Sequence, residues 1–295
     1  MAKRVLFLIL TLSTLISPAF AEVRIVATLP WIGSIAREIG KDRVNIMVLV
    51  KPNQDPHYVE AKPSMILAAN KADIIMYNGL DLEEGYLSLI ITSSRNPDIQ
   101  PGAKGNLDCS RYVEPIEKPQ GDIDRSMGDV HPLGNPHYHY SAGNIRRVAE
   151  GIEQALSQAD PPNAGHYAAN LAAFQEKVGK KQSQWAAIPL KGKRFFAYHK
   201  IFEYLAADYG FQIIGYVEPK PGIPPSAGYL EKVIETIKRT KPDGILTTPY
   251  YGRKEVDLLS GKTGLKAIVV PPDVGATVGA GDWFSFMDMV LSSLK

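Results

Sequence analysis

Short apolar runs alternate along this chain with stretches of helical periodicity. Val23–Leu29 reads as a strand, Trp31–Ile39 as an amphipathic helix stopped by Gly40, and Val44–Val50 as a second strand. A polar loop through residue 57 follows, then a helix opened by Pro63, where a missing N–H costs nothing, and a strand over Asp73–Tyr77. Strands separated by helices of this length predict parallel βαβ units. The second half repeats the alternation, with strands expected at Arg194–Tyr198, Gln212–Val217, Asp243–Thr247 and Lys266–Val270 and a last helix over Asp282–Leu294.

Between the halves lies a helical tract. Ala142–Ala159 ends at Asp160-Pro161-Pro162, and Tyr167, Leu171, Phe174, Val178 and Trp185 then keep helical spacing to about Ile188. With Pro162 in its first turn, this second helix would be about 40 Å long at 1.5 Å per residue. That length allows one stiff helix to join two lobes, against the plainer alternative of a helix packed on one lobe. The expected fold is therefore α/β: two lobes, each a mostly parallel sheet flanked by helices, over residues 22–160 and 189–295, with a linker helix over 161–188. Residues 97–135 are rich in Pro, Gly and Asp and read as long surface loops.

The first 21 residues stand apart from this pattern. Lys3 and Arg4, the apolar run Val5–Ile16 and the small-x-small sequence Ala19-Phe20-Ala21 form a secretory signal peptide. Its apolar run is too short for a membrane span, and no cysteine stands at the cleavage point to carry a lipid. A periplasmic protein, neither anchored nor inserted in the membrane, is expected. Without Lys3 and Arg4 the basic residues equal the 31 acidic ones. A neutral chain lacks the basic patch that a nucleic-acid partner requires. The single cysteine, Cys109, excludes an internal disulfide and a four-cysteine zinc site, and reads as a small buried hydrophobe.

Candidate chemistry is concentrated in two segments of one pattern, Asp55-Pro56-His57-Tyr58 and Asn135-Pro136-His137-Tyr138. Proline fixes its own φ and extends the residue before it, so the histidine leaves a stiff turn in a preset direction. Neutral imidazole is the commonest metal ligand among side chains. His57 follows the second strand, His199 directly follows Arg194–Tyr198, and Asp273 in Pro271-Pro272-Asp273 follows Lys266–Val270. Sites in open α/β folds lie beyond the carboxyl ends of strands. Two candidates per lobe would meet in the cleft between lobes, and three imidazoles with one carboxylate match a tetrahedral zinc shell. His139 alternates with His137 and would face the other way. His131, before Pro132, is a weaker candidate, and His166 is expected in solvent.

The ordered set of motifs resembles the metal-binding, solute-binding proteins of ABC importers for zinc and manganese. The likeness lies in Ala27-Thr28-Leu29-Pro30, Gln54-Asp55-Pro56-His57 with Pro63-Ser64, Ala72–Leu80, Asn135-Pro136-His137, Ala197-Tyr198-His199-Lys200, and Pro272-Asp273-Val274-Gly275 ahead of Gly281-Asp282-Trp283-Phe284. It implies two lobes joined by one rigid helix, with metal bound between them by His57, His137, His199 and Asp273. It implies Zn²⁺ capture by a monomer and delivery to an ABC permease with its ATPase subunit. Imidazole-rich shells suit Zn²⁺ and oxygen-rich shells Mn²⁺, so zinc is favoured over a manganese-type protein of the same family. Two features depart from the family. Its long His- and acid-rich loop is reduced here to Asp122, Asp124, Asp129 and His131, and its usual Trp-Leu stretch is replaced by Tyr138-His139-Tyr140.

Two other function classes compete with this reading. A secreted zinc hydrolase could use the three histidines with Glu60 or Asp273 as base, yet no His-Glu-x-x-His motif exists. A haem, siderophore or corrinoid binder would need a wide organic pocket rather than converging imidazoles. Gly261-Lys262-Thr263 is no phosphate loop, because Val256 stands where its first glycine belongs. Tyr250-Tyr251-Gly252-Arg253 reads as a strand-end turn.

Overall fold

The computed structural model describes residues 22–121 and 127–295; the leader, Asp122 and Asp124 lie outside the described residues. The first half carries β1 (Val23–Ala27), β2 (Val44–Val48), β3 (Ile74–Tyr77) and β4 (Asn106–Asp108) in one parallel sheet of order β2-β1-β3-β4. The second carries β5 (Arg194–Ala197), β6 (Gln212–Tyr216), β7 (Gly244–Thr247) and β8 (Ala267–Val269) in the order β6-β5-β7-β8. Each sheet starts at a central strand, steps outward, then crosses back, so each has a switch point where ligands of α/β folds collect.

The crossings are helical. α1 (Pro30–Gly40) joins β1 to β2, α2 (Pro63–Lys71) joins β2 to β3, and α3 (Leu87–Ser94) precedes β4. α6 (Glu203–Tyr209), α7 (Ala227–Thr240) and α8 (Arg253–Thr263) serve the second sheet in the same way. Gly261-Lys262-Thr263 thus closes α8 at its carboxyl end, the wrong pole of a helix for an anion. β4, only three residues long, was not expected; it falls inside the tract read as loop, and Cys109 directly after it is buried.

α4 (Ala142–Ala159) and α5 (Ala164–Ala186) lie between the sheets in chain order. The chain turns through a single 3₁₀ turn at Pro161–Asn163, so the long helix starts three residues later than its spacing predicts. Two adjacent prolines explain the delay, since each lacks an N–H and the residue before a proline avoids helical geometry. Tyr167, Phe174, Val178 and Trp185 form the buried stripe of α5, which packs on α1, α4 and the last helix, α9 (Trp283–Ser293).

One apolar core runs from β1, α1 and α4 through α5 to Phe195 and Leu246 of the second sheet and to α9. A smaller one fills the far face of the second sheet around Phe196, Val233 and Leu259. α9 reaches back to the first half. The Trp283 amide donates to Ser34 Oγ at 3.0 Å and its indole Nε1 to the His139 carbonyl at 2.9 Å. Asp288 accepts from Trp185 Nε1 at 2.7 Å and pairs with Lys181 at 2.5 Å. No helix among the described residues is long and apolar enough to cross a membrane.

Candidate metal centre

His57, His137 and His199 meet at the carboxyl edges of the two sheets. Their ring centroids form a near-equilateral triangle with sides of 5.4, 5.6 and 5.7 Å. Each offers a ligand atom within 4.8 Å of the other two.

The two Pro-His turns are built alike. Asp55 caps the 3₁₀ turn Pro56–Tyr58, its Oδ1 accepting the His57 amide at 3.0 Å and facing the ring Nδ1 at 2.7 Å. Asn135 Oδ1 likewise accepts the His137 amide at 3.0 Å. Here the short Asx side chain completes the turn and proline stiffens it. With its Nδ1 hydrogen given to Asp55, His57 keeps a lone pair on Nε2. Burial alone would raise the Asp55 pKa, but its bonds and charge interaction with His57 outweigh this and hold it below the carboxylate range.

His137 is tied to the first sheet through its neighbours. Asn78 donates to the Pro136 carbonyl at 3.1 Å, and the Tyr138 hydroxyl donates to the Asn78 carbonyl. Asn78 opens a tight loop in which Gly79, Leu80 and Asp81 all have positive φ (80°, 55° and 61°). Glu83 holds that loop, accepting from the Thr28 hydroxyl at 2.6 Å and the amides of Asn78 and Gly79 at 2.7 and 3.0 Å. Burial and the nearby His57 and His199 hold His137 well below the usual imidazole pKa, so it is neutral. Its Nε2 is buried without a hydrogen-bond partner. A buried polar atom left unpaired is costly unless something absent from the chain completes it.

His199 leaves β5 and is locked by Glu218 beyond β6, with Nδ1 to Oε2 at 2.7 Å. Tyr251, beyond β7, stacks on the His199 ring at 5.0 Å and donates its hydroxyl to Asp55. Thus the strands on both sides of β5 support its histidine, and Tyr251 bridges the turns of His57 and His199. Neither Glu218 nor Tyr251 was singled out as functional from sequence. Their only signal is position, just past the ends of the neighbouring strands.

Asp273 lies outside the three-histidine group. It shares with His137, His139 and Tyr250 the lining of a small enclosed pocket of about 20 Å³. Its Oδ1 accepts the Val274 amide at 2.6 Å, and burial, only partly offset by the amides of Val274 and Trp31, raises its pKa well above the usual range. His139 lies outside the group, on the 3₁₀ turn Tyr138–Tyr140 and not on the extended segment that alternation assumed. Its Nε2 meets the Pro272 carbonyl at 3.1 Å and its ring packs between Trp31 and Phe286. His166 lies on α5, half-exposed, beside Asn170. Glu60 is exposed, and His131 stands beside His57.

Imidazoles aimed inward, with carboxylates behind two of them, form the arrangement by which proteins hold transition metals. The comparisons agree. Residues 25–295 match the family described as ZnuA, zinc-uptake complex component A, periplasmic. A crystal structure of ZnuA superposes with a TM-score of 0.76 at 26% identity, covering 92% of this chain and 97% of that one. The iron-binding protein YfeA of Yersinia pestis is 27% identical over 277 residues, 88% of this chain and 83% of its own. The zinc-binding lipoprotein AdcA of Streptococcus pneumoniae is 25% identical over 283 residues, and this chain, matched over 94% of its length, spans only 56% of AdcA. The chain belongs to the ZnuA family of metal-binding, substrate-binding proteins of ABC transporters, a family of carriers and not of enzymes.

Proposed function

We propose that this chain captures Zn²⁺ in the periplasm and delivers it to an ABC permease powered by a separate ATPase subunit. The observation that carries this is the buried triangle of His57, His137 and His199, with an unpartnered nitrogen on His137. An all-nitrogen face favours Zn²⁺ over Mn²⁺, which prefers carboxylate and water oxygens. The named relatives carry different metals in their names, zinc and iron, so this preference rests on donor chemistry. Asp273 is the carboxylate candidate for a fourth ligand. To serve, it must enter the group from the adjoining pocket and lose the proton that burial favours, which a divalent cation promotes.

Export rests on the leader read at residues 1–21. The division into lobes over 22–160 and 189–295, joined by a linker over 161–188, is supported by the two separate sheets with α5 between them in sequence. Competition with chelators at pH 7.5, run separately for Zn²⁺ and Mn²⁺, tests the assignment. Zinc should bind at least about 100-fold more tightly than manganese, as expected for imidazole ligands. Manganese binding as tight as zinc would overturn it.

A further inference from the structure

We propose that the edge of the second sheet at which its strands begin is a docking surface for anionic lipid. β5, β6, β7 and β8 run parallel, so α7 and α8 each return to this edge before the next strand starts. Lys238, Arg239 and Lys241 stand where α7 gives way to β7, and Lys262 and Lys266 where α8 gives way to β8. Lys191 precedes β5 on the same edge, where the Gly192 amide donates to the Gly210 carbonyl ahead of β6. All six residues are exposed, and among the described residues none of the six has an ion-pair partner.

The first sheet is an internal control. Its helices return to the corresponding edge in the same way, yet cations there are matched. Arg24 pairs with Asp73 at 2.6 Å, Lys41 with Glu38 at 2.6 Å and Arg43 with Asp42 at 3.8 Å. On the second edge Asp243 accepts the Arg194 amide at 2.7 Å, and Asp208 turns its carboxylate toward Ser141 and the Ala142 amide. The helix dipole favours cations at Lys238, Arg239 and Lys262, in the last turns of α7 and α8. It does not account for Lys191 or Lys266, which lie outside any helix. The near-zero net charge conceals this segregation, since residues 22–160 hold 14 basic and 19 acidic residues and residues 161–295 hold 17 and 12.

The chemistry of the patch selects the partner. Five of the six cations are lysines, which protein interfaces disfavour. The exposed large apolar side chains, Leu258 and Val269 among them, lie off this edge, so it has no anchor for a folded partner. Clusters of about four to eight Lys or Arg bind anionic bilayers through the surface potential, each cation near the surface adding about fivefold. His199 leaves the other end of β5, so a chain resting on this pole holds its metal centre away from the lipid. Docking then concentrates the carrier at a membrane while its site faces solution, and it requires no metal.

Co-sedimentation of the processed chain, residues 22–295, with vesicles of phosphatidylglycerol or of phosphatidylcholine tests this. Binding is expected to phosphatidylglycerol alone, with or without zinc. It should fall at least about tenfold between about 0.1 M and 1 M salt, as the screening length shrinks from about 10 Å to about 3 Å. Lys238→Gln, Lys262→Gln and Lys266→Gln combined should weaken binding about 10- to 100-fold and leave zinc affinity unchanged. The same substitutions at Lys62, Lys71 and Lys104, which change net charge equally in the first half, should leave lipid binding within about threefold. Equal binding to both lipids, no binding to phosphatidylglycerol, or equal losses in the two triple variants would overturn the proposal. Binding to polyglutamate without binding to vesicles would overturn it in favour of an acidic protein.

Discussion

His199 and Glu218 meet at 2.7 Å with their side chains 3% and 6% exposed, so neither turns without breaking a buried hydrogen bond. The carboxylate faces Nδ1, which places the proton there and leaves Nε2 with a free lone pair. Glu218→Gln keeps an acceptor of the same size but removes the charge that strengthens the imidazole as a donor. Zinc affinity should fall about 10- to 100-fold in Glu218→Ala and by less in Glu218→Gln, measured by chelator competition. Equal affinity in all three proteins would mean that packing alone, with Tyr251 on the ring, orients His199.

The histidines should separate into binding and structural groups. His57→Ala, His137→Ala and His199→Ala should each weaken zinc binding by well over about tenfold, because a four-coordinate shell loses one of its bonds. His139→Ala should leave affinity nearly intact and lower stability by about 2–4 kcal/mol, having opened a cavity between Trp31 and Phe286. His166→Ala should change neither. A metal-free urea titration beside each binding curve checks the division. Loss of affinity in His139→Ala without loss of stability would contradict it.

Zinc itself should stabilise the fold. A ligand that binds only the native state adds RT ln(1 + [L]/Kd), about 4 kcal/mol at a thousandfold excess over Kd. Thermal melting with and without zinc should show a shift that grows with free metal and disappears in His137→Ala.

Glu83 predicts a pH dependence of the metal-free chain. Burial raises its pKa to about 7 from 4.5, against three donors that pull the other way. The folded state therefore holds this proton more tightly than the unfolded state. The resulting stability is present below about pH 4.5 and is lost as pH rises through about 7, by about 3 kcal/mol at most. Glu203, raised to about 7 by burial, acts with the same sign. In Glu83→Gln the fall in unfolding free energy between pH 4.5 and 7.5 should shrink, leaving the share of Glu203. An unchanged slope would show that Glu83 is ionised throughout.

Much of this was legible in the sequence because it is locally coded. Tyr167, Phe174, Val178 and Trp185 announce the buried stripe of α5 by spacing alone. The Pro-His turns announce His57 and His137, since proline and the Asx side chain fix both turns within four residues. β4 was hidden, because a strand of Asn106, Leu107 and Asp108 shows one apolar residue between polar ones. β2 ends at Val48, yet the amides of Leu49 and Val50 still bond to Ala27 and Thr28, so the apolar run overstates the strand by two residues. Glu218 and Tyr251 were missed as parts of the site for one reason. Their roles arise from partners 19 or more positions away, which only the parallel sheets bring together.

The return of α9 to the first half limits how the metal leaves. After the second sheet is complete, Trp283 is anchored to Ser34 and His139, and Asp288 to Lys181 and Trp185. A jaw-like opening would have to break the buried bonds of Trp283, the half-buried bonds of Asp288 and the indole packing around them. Any movement that releases the metal is therefore expected in the turns around Asp129–His131 and Tyr250-Tyr251, while the frame stays still. Small-angle scattering with and without zinc should accordingly give one radius of gyration, and hydrogen exchange should confine the difference to those turns.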